Sequence, residues 1–316
     1  METGLNLLFR QINSEDIDWI LSHTKLSDPI HVSGLEGGWD NANILLKFSN
    51  GSKFVLKAWF ANKIPEVERV VERHLHLQEH GIPTVVPVLL DNHGLLAKKD
   101  GFAWTLMPYI EGGFLGNDPE SMESLGEVLA RMHCIPKADC FPNEYRMGFS
   151  LFERVIFLCK EKGWSLNFLD ILAKEASFLR DNLPSDLPNG VLHGDIFPDN
   201  IIGSEGSVNA ILDLEEAWIG PLCFDLVMAF VGFCWEEGVA ISSRWCSLIR
   251  GYQSVRSLSD EEFYAMPIMH RYATLAIACW RFWKHNLSLP DKELAGRYLE
   301  MVDRLGLEFD FSEGLE

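Results

Sequence analysis

Positive charge is scarce in this chain. Lysine and arginine number 27 against 46 aspartates and glutamates, a formal net charge of −19 over 316 residues. No basic run is longer than Lys98-Lys99. So acidic a chain repels a phosphate backbone, which sets nucleic-acid binding aside. Long apolar runs are missing too: the longest, Leu226 to Trp235, is about half of what a bilayer span requires. Cysteine pairs at metal-binding spacing are absent, since Cys134, Cys140, Cys159, Cys223, Cys234, Cys246 and Cys279 include no Cys-x-x-Cys. Reduced, buried thiols are the reading, not a disulfide framework. The opening METGLNLLFRQINSED is too acidic and interrupted for a secretory leader. These absences together lead us to expect a cytoplasmic protein with no membrane and no nucleic-acid partner; a small-molecule substrate and a monomeric or homodimeric state are separate expectations.

What is present suffices for a large core, because 47% of residues are hydrophobic. The length suits about two domains or one two-lobed unit. Ser14 and its acidic followers start a short helix. Strands are expected around His31, from Asn43 to Phe48 and from Lys53 to Trp59, with Asn50-Gly51 turning a hairpin between the last two. Val67, Val70, Val71, Leu75 and Leu77 repeat at helical spacing over 65–80. Pro83 to Leu90 and Phe102 to Met107 read as further strands. After Glu111 the pattern turns helical, with helices over 120–133, 151–160, 168–183, 224–235, 241–252 and 267–285. The expected class is α+β, with a small β-rich lobe at 1–109 and a larger helical lobe at 110–316.

The densest polar cluster lies in HGDIFPDNIIGSEGSVNAILDLEEA, from His193 to Ala217. If its two apolar runs pair as a hairpin, the ends meet and Asp213 joins Asp195 and Asn200. Converging oxygen ligands of this kind suit Mg²⁺, which takes few carboxylates and completes its shell with water and phosphate. Asp and Asn five residues apart also match a phosphoryl-transfer loop, where the Asp handles the acceptor proton and the Asn holds metal. Asp199, after Pro198, reads as a turn cap. Upstream, Gly34, Gly37 and Gly38 form a glycine loop, and Lys57 on the third strand supplies a cation for ATP phosphates. Glu68 or Glu72 on the next helix can hold that lysine.

With these motifs in hand, the sequence resembles the aminoglycoside phosphotransferase and choline kinase superfamily. LHGDIFPDN and AILDLEEA are similar to its loop and metal-strand motifs. Within it, GLEGGWDNANILL, LHGDIFPDN and GYQSVRSLSDEEF are similar to kinase-like homoserine kinases. The likeness runs from about residue 15 to 305. It departs at Asp213-Leu-Glu-Glu-Ala-Trp, closer to the general phosphotransferase pattern, and at Val70, which stands where the helix glutamate is expected.

The resemblance implies a bilobal protein-kinase-like fold and ATP with Mg²⁺. It makes Asp195 the catalytic base, Asn200 and Asp213 the metal ligands, and Asp225 a brace for the loop. Gly37, Gly38 and Lys57 would contact phosphate, the backbone at Met107 to Tyr109 the adenine edge, and His193 would be structural. A homoserine-like acceptor needs Glu215 or Glu216 for its ammonium and Arg271 or Arg281 for its carboxylate. Tyr272, Ala276, Trp280 and Trp283 share a helical stripe that is either core or an aromatic cage for a quaternary amine. The expected function is a small-molecule kinase of amino-acid (threonine) biosynthesis. The alternatives are an aminoglycoside- or choline-type kinase and a nucleotide-binding pseudokinase.

Overall fold

In the computed structural model, residues 12–35, 41–306 and 308–312 are described. They divide into two compact units, Met1–Gly112 with Asn209–Leu212, and Gly113–Val208 with Asp213–Glu316. The expected Gly37 and Gly38 lie outside the described residues.

The first unit begins with α1 (Ser14–Leu21), capped by Asn13, whose side chain accepts from the Asp16 N–H. Strands β1 (His31–Gly34), β2 (Ala42–Lys47) and β3 (Lys53–Trp59) follow, then α2 (Ile64–Glu79), β4 (Ala97–Lys99) and β5 (Phe102–Pro108). The five strands make one antiparallel sheet in the order β1-β2-β3-β5-β4. Period-2 alternation sorts β3 between two cores. Leu56 and Ala58 pack with Ile17, Ile20 and Trp104. Trp59 packs with Val67, Val70 and Val71 of α2. Lys57 therefore shares the α2 side, its Nζ lying 3.6 Å from the centroid of the Trp59 ring.

Pro83 to Leu90 is extended but forms no ladder strand, contrary to the sequence reading. Pro83 and Pro87 each lack the N–H that a ladder needs. The segment instead makes single contacts: Thr84 bridges Ile211, and the Val88 N–H donates to Leu106 O at 2.8 Å.

The second unit contains β6 (Gly113–Phe114), α3 (Pro119–His133), α4 (Phe149–Glu161) and α5 (Asn167–Asn182). Strands β7 (Asn189–Leu192), β8 (Ile201–Ser204), β9 (Ser207–Ile211) and β10 (Trp218–Pro221) come next. Helices α6 (Cys223–Phe233), α7 (Ser242–Gln253), α8 (Asp260–Phe282) and α9 (Leu299–Arg304) follow, with a short antiparallel pair, β11 (Trp235–Glu236) and β12 (Val239–Ala240), between α6 and α7. Nearly every side chain of α6 is buried, which is why it is apolar on all faces. Helix α8 starts seven residues before Pro267, the start expected from sequence, through a capping box of Ser259 and Glu262. Pro267 is tolerated because it is exposed, so the carbonyl left without its partner can meet water. A π-turn over Trp283–Ser288 ends the helix. Among the described residues, no helix is long and apolar enough to cross a membrane.

Candidate active site

Two ladders bring the His193–Asn200 loop and the Asp213–Ala217 turn together. The hairpin read from sequence forms: β6, β8 and β9 make one sheet in that order, with Glu205-Gly206 in the turn. Sequence reasoning missed the second ladder, in which β7 pairs antiparallel with β10 and Leu192 faces Trp218. One ladder follows Asn200 and precedes Asp213; the other precedes His193 and follows Ala217. The polar residues sit between them.

Gly194 adopts φ +81°, and a Cβ there would stand 2.6 Å from Glu216 O, with Trp218 Cδ1 and Tyr145 Cε2 each at 3.2 Å. Only glycine permits both the left-handed backbone and this approach. Beneath the loop, a Cβ on Gly232 of α6 would stand 2.5 Å from Ile196 O, so the helix gives the loop a flat seat.

The loop is held from several sides. The fully buried Asp225 carboxylate accepts from the His193 N–H at 2.7 Å and the Gly194 N–H at 2.9 Å. Tyr145 donates its hydroxyl to Gly194 O at 2.7 Å. His193 is fully buried, and its Nδ1 accepts the Asp195 N–H at 3.1 Å. From Asp225 the network continues to His133 Nε2 at 3.4 Å, and from His133 Nδ1 to Tyr252 OH at 2.8 Å. Arg256 donates to Tyr252 OH at 3.1 Å and to both oxygens of Glu262 at 3.0 Å. Segment GYQSVRSLSDEEF is thus tied by hydrogen bonds to the loop.

Within the loop, Asn200 Nδ2 donates to Asp195 Oδ2 at 2.9 Å and to Asp195 O at 2.8 Å. This commits the amide nitrogen and leaves the oxygen as the atom a hard cation would take. Burial pushes the Asp195 carboxyl well above the ordinary carboxylate range, and the charges of Glu216, Asp213 and Asp199 push the same way. The Asn200 hydrogen bond opposes them. Asp213 sits at φ 53°, in the left-handed region. Its Oδ1 is buried and has no hydrogen-bond partner among the described residues. A buried carboxylate oxygen without a donor is costly unless something cationic meets it. Asn200 and Asp213 therefore fit a Mg²⁺ that takes its remaining ligands from phosphate and water. Asp199 is exposed at the start of a 3-10 turn.

In the first unit, Glu68 and Glu72 are both exposed on α2, and Glu68 pairs with Lys98 at 2.7 Å. Met107 is half-buried on the α2 side of the sheet, and the Tyr109 N–H donates to Lys53 O at 3.0 Å. In the second unit, Glu215 and Glu216 occupy the turn after Asp213. Arg271 is ion-paired with Glu175, with Nη2 to Oε1 at 2.7 Å. Arg281 is ion-paired with Glu300 at 2.7 Å, close enough to Asp195 to feel its charge. Tyr272 belongs to an aromatic core, stacked on Phe149 with centroids 5.2 Å apart.

Sequence reasoning missed Tyr145, Arg146, His133 and Trp218. Arg146 Nε lies 3.6 Å from Glu216 Oε1, and Trp218 stacks on Tyr145 at 5.3 Å. His133, Tyr145 and Arg146 stand in no motif, Trp218 only closes the Asp213-Leu-Glu-Glu-Ala-Trp stretch, and Tyr145 reaches Gly194 across 49 positions, so no local signal pointed to their part in the loop.

Comparison with known proteins adds an independent finding. The model of the phosphotransferase enzyme family matches residues 31–258. A homoserine kinase of Brucella ovis is 27% identical over 286 residues, covering 87% of this chain and 86% of the relative. Among solved structures, amicoumacin kinase in complex with AMP-PNP and Ca²⁺ superposes with TM-score 0.75 at 12% identity, covering 98% and 99% of the two chains. Spectinomycin phosphotransferase superposes with TM-score 0.65 at 15% identity, covering 95% and 97%.

Proposed function

The chain belongs to the phosphotransferase enzyme family, and on that premise we propose that it transfers the γ-phosphoryl group of ATP to the hydroxyl of L-homoserine. The observation that carries the reading is the grouping in one loop pair of Asp195, Asn200 and Asp213, whose Oδ1 has no hydrogen-bond partner among the described residues. The homoserine kinase relative and the GYQSVRSLSDEEF segment support the choice of acceptor. Such an enzyme would serve amino-acid biosynthesis in the cytoplasm.

Phosphoryl transfer asks a protein for positioning and for charge stabilisation more than for covalent chemistry. The acceptor oxygen attacks the γ-phosphorus as the bond to the ADP oxygen breaks. Asp195 orients that hydroxyl and takes its proton. Burial raises the proton affinity of this carboxyl, the direction that favours taking a proton. Asn200 and Asp213 would hold Mg²⁺, which when bound neutralises charge on the phosphates. Lys57, Gly37 and Gly38 would contact phosphate, and the backbone of Met107 and Tyr109 the adenine edge. Glu68 and Glu72 remain candidates for positioning Lys57. The solved amicoumacin kinase holds AMP-PNP and Ca²⁺, in keeping with a nucleotide and a divalent ion.

A second reading takes an aminoglycoside or a choline-type amine as acceptor, because Asp213-Leu-Glu-Glu-Ala-Trp is similar to the general phosphotransferase pattern. ADP release with homoserine, choline and an aminoglycoside separates the two. Homoserine should be turned over far faster than the others. A rate at background with homoserine, beside clear turnover of either other amine, refutes the acceptor and leaves the kinase. Bound ATP with no turnover of any acceptor favours a pseudokinase.

A further inference from the structure

Arg271 and Arg281, the cations expected to meet the acceptor's carboxylate, already hold carboxylates of the protein itself, Glu175 and Glu300. Another charge pair lies beside the loop. Glu216 has a side chain only 13% exposed and pairs with Arg146 at 3.6 Å, whereas Arg146 is 58% exposed. The backbone of Glu216 adjoins Gly194 at the distance only a glycine allows, and the Glu216 charge acts on Asp195. Arg146 directly follows Tyr145, whose hydroxyl is fixed on Gly194 O. The pair is thus anchored on both sides of the residue before Asp195.

A second observation points to a ligand at the same place. Trp218 is 7% exposed, and its Nε1 is buried without a hydrogen-bond partner among the described residues. The neighbouring ring atom, Cδ1, is the one that approaches Gly194, so the indole N–H lies at the loop. A buried donor left unsatisfied costs stability unless a ligand or water meets it.

Resting on the kinase reading above, we propose that Arg146 and Glu216, with the Trp218 indole N–H, form a subsite that selects a hydroxy-α-amino acid over an amino alcohol. Glu216 takes the ammonium, and the Arg146 fork takes the carboxylate. The side-chain hydroxyl is left to reach Asp195. An arginine suits this task because its planar donors match a carboxylate two to two. Its exposure lets it turn from Glu216 toward the incoming group. An amino alcohol would satisfy Glu216 but offer the Arg146 fork no carboxylate.

The test compares L-homoserine with 3-aminopropan-1-ol, the same molecule without its carboxylate, on the wild type and on Arg146→Gln. The wild type should prefer homoserine. In Arg146→Gln the ratio of kcat/KM for homoserine to that for the amino alcohol should fall on the order of 10²-fold, the scale of one charge-assisted contact. KM for ATP should move little. Glu216→Gln should lower kcat/KM for both acceptors. An unchanged ratio in Arg146→Gln overturns the subsite, as does a wild type that uses both acceptors equally well; either result leaves the kinase reading standing. A wild type that phosphorylates neither acceptor overturns that reading and the subsite with it.

Discussion

Asp225→Asn is the most informative single change to the loop's support. The carboxylate is fully buried and accepts two backbone N–H groups, from His193 at 2.7 Å and Gly194 at 2.9 Å. Asparagine matches the shape but offers one oxygen and one NH₂. One backbone N–H keeps an acceptor, and the other faces a donor. The loss is one charge-assisted hydrogen bond, worth about 1.5–3 kcal/mol, and a buried N–H is left unsatisfied. We expect about 3 kcal/mol of destabilisation, within the ~5–15 kcal/mol that a folded protein commonly holds. The fold should survive, and the loop should shift. Because small misplacements at a reacting centre cost on the order of 10²-fold, kcat should fall by about that factor while KM for ATP changes little. Urea unfolding followed by tryptophan fluorescence gives the first number, and steady-state kinetics the second. A variant with stability within about 0.5 kcal/mol of wild type and unchanged kcat would refute the bracing role, since ordinary surface substitutions fall in that range.

Other outcomes follow from the same geometry. Asp195→Asn should leave nucleotide binding nearly intact and lower kcat by about 10²-fold or more, the scale of a positioned base; lost ATP affinity with normal turnover contradicts it. Asp213→Ala should abolish Mg²⁺-dependent ATP binding, whereas Asp199→Ala, at an exposed turn position, should be tolerated. Mg²⁺ titrations of the two variants check this, and equal damage sinks the assignment. Burial, helped by the Arg304 charge, lowers His270 from 6.5 to about 4, so folding keeps the ring neutral. The unfolded chain takes up the proton first as pH falls, so stability is full above about pH 6.5 and is lost toward about pH 4. The loss amounts to about 3 kcal/mol. His270→Phe should flatten that part of the stability profile, and a profile parallel to wild type contradicts the buried-neutral assignment.

How much was legible in the sequence depended on whether the signal was local. Asn50-Gly51 between apolar runs specifies the β2–β3 hairpin, and the valine stripe specifies α2, because turn chemistry and helical period are local. Asp195, Asn200 and Asp213 could be grouped from sequence because one hairpin joins them within a single short stretch. Pro267 misled because a helix start and an exposed interior proline look alike until the Ser259 cap is seen. The β7–β10 ladder was invisible: four-residue buried strands carry no period, and their register is set by the fold. The same holds for His133, Tyr145 and Arg146, which reach the loop from distant helices and turns. Arg271 and Arg281 were reasonable candidates as free cations, but Glu175 and Glu300 pair with them only in three dimensions.

Phosphorus NMR of a reaction containing the enzyme, MgATP and L-homoserine tests the central claim most directly. A phosphomonoester resonance on the homoserine hydroxyl should grow in step with ADP and be absent from Asp195→Asn. ADP and inorganic phosphate without a phosphorylated amino acid, or a phosphomonoester formed equally well by Asp195→Asn, would contradict it.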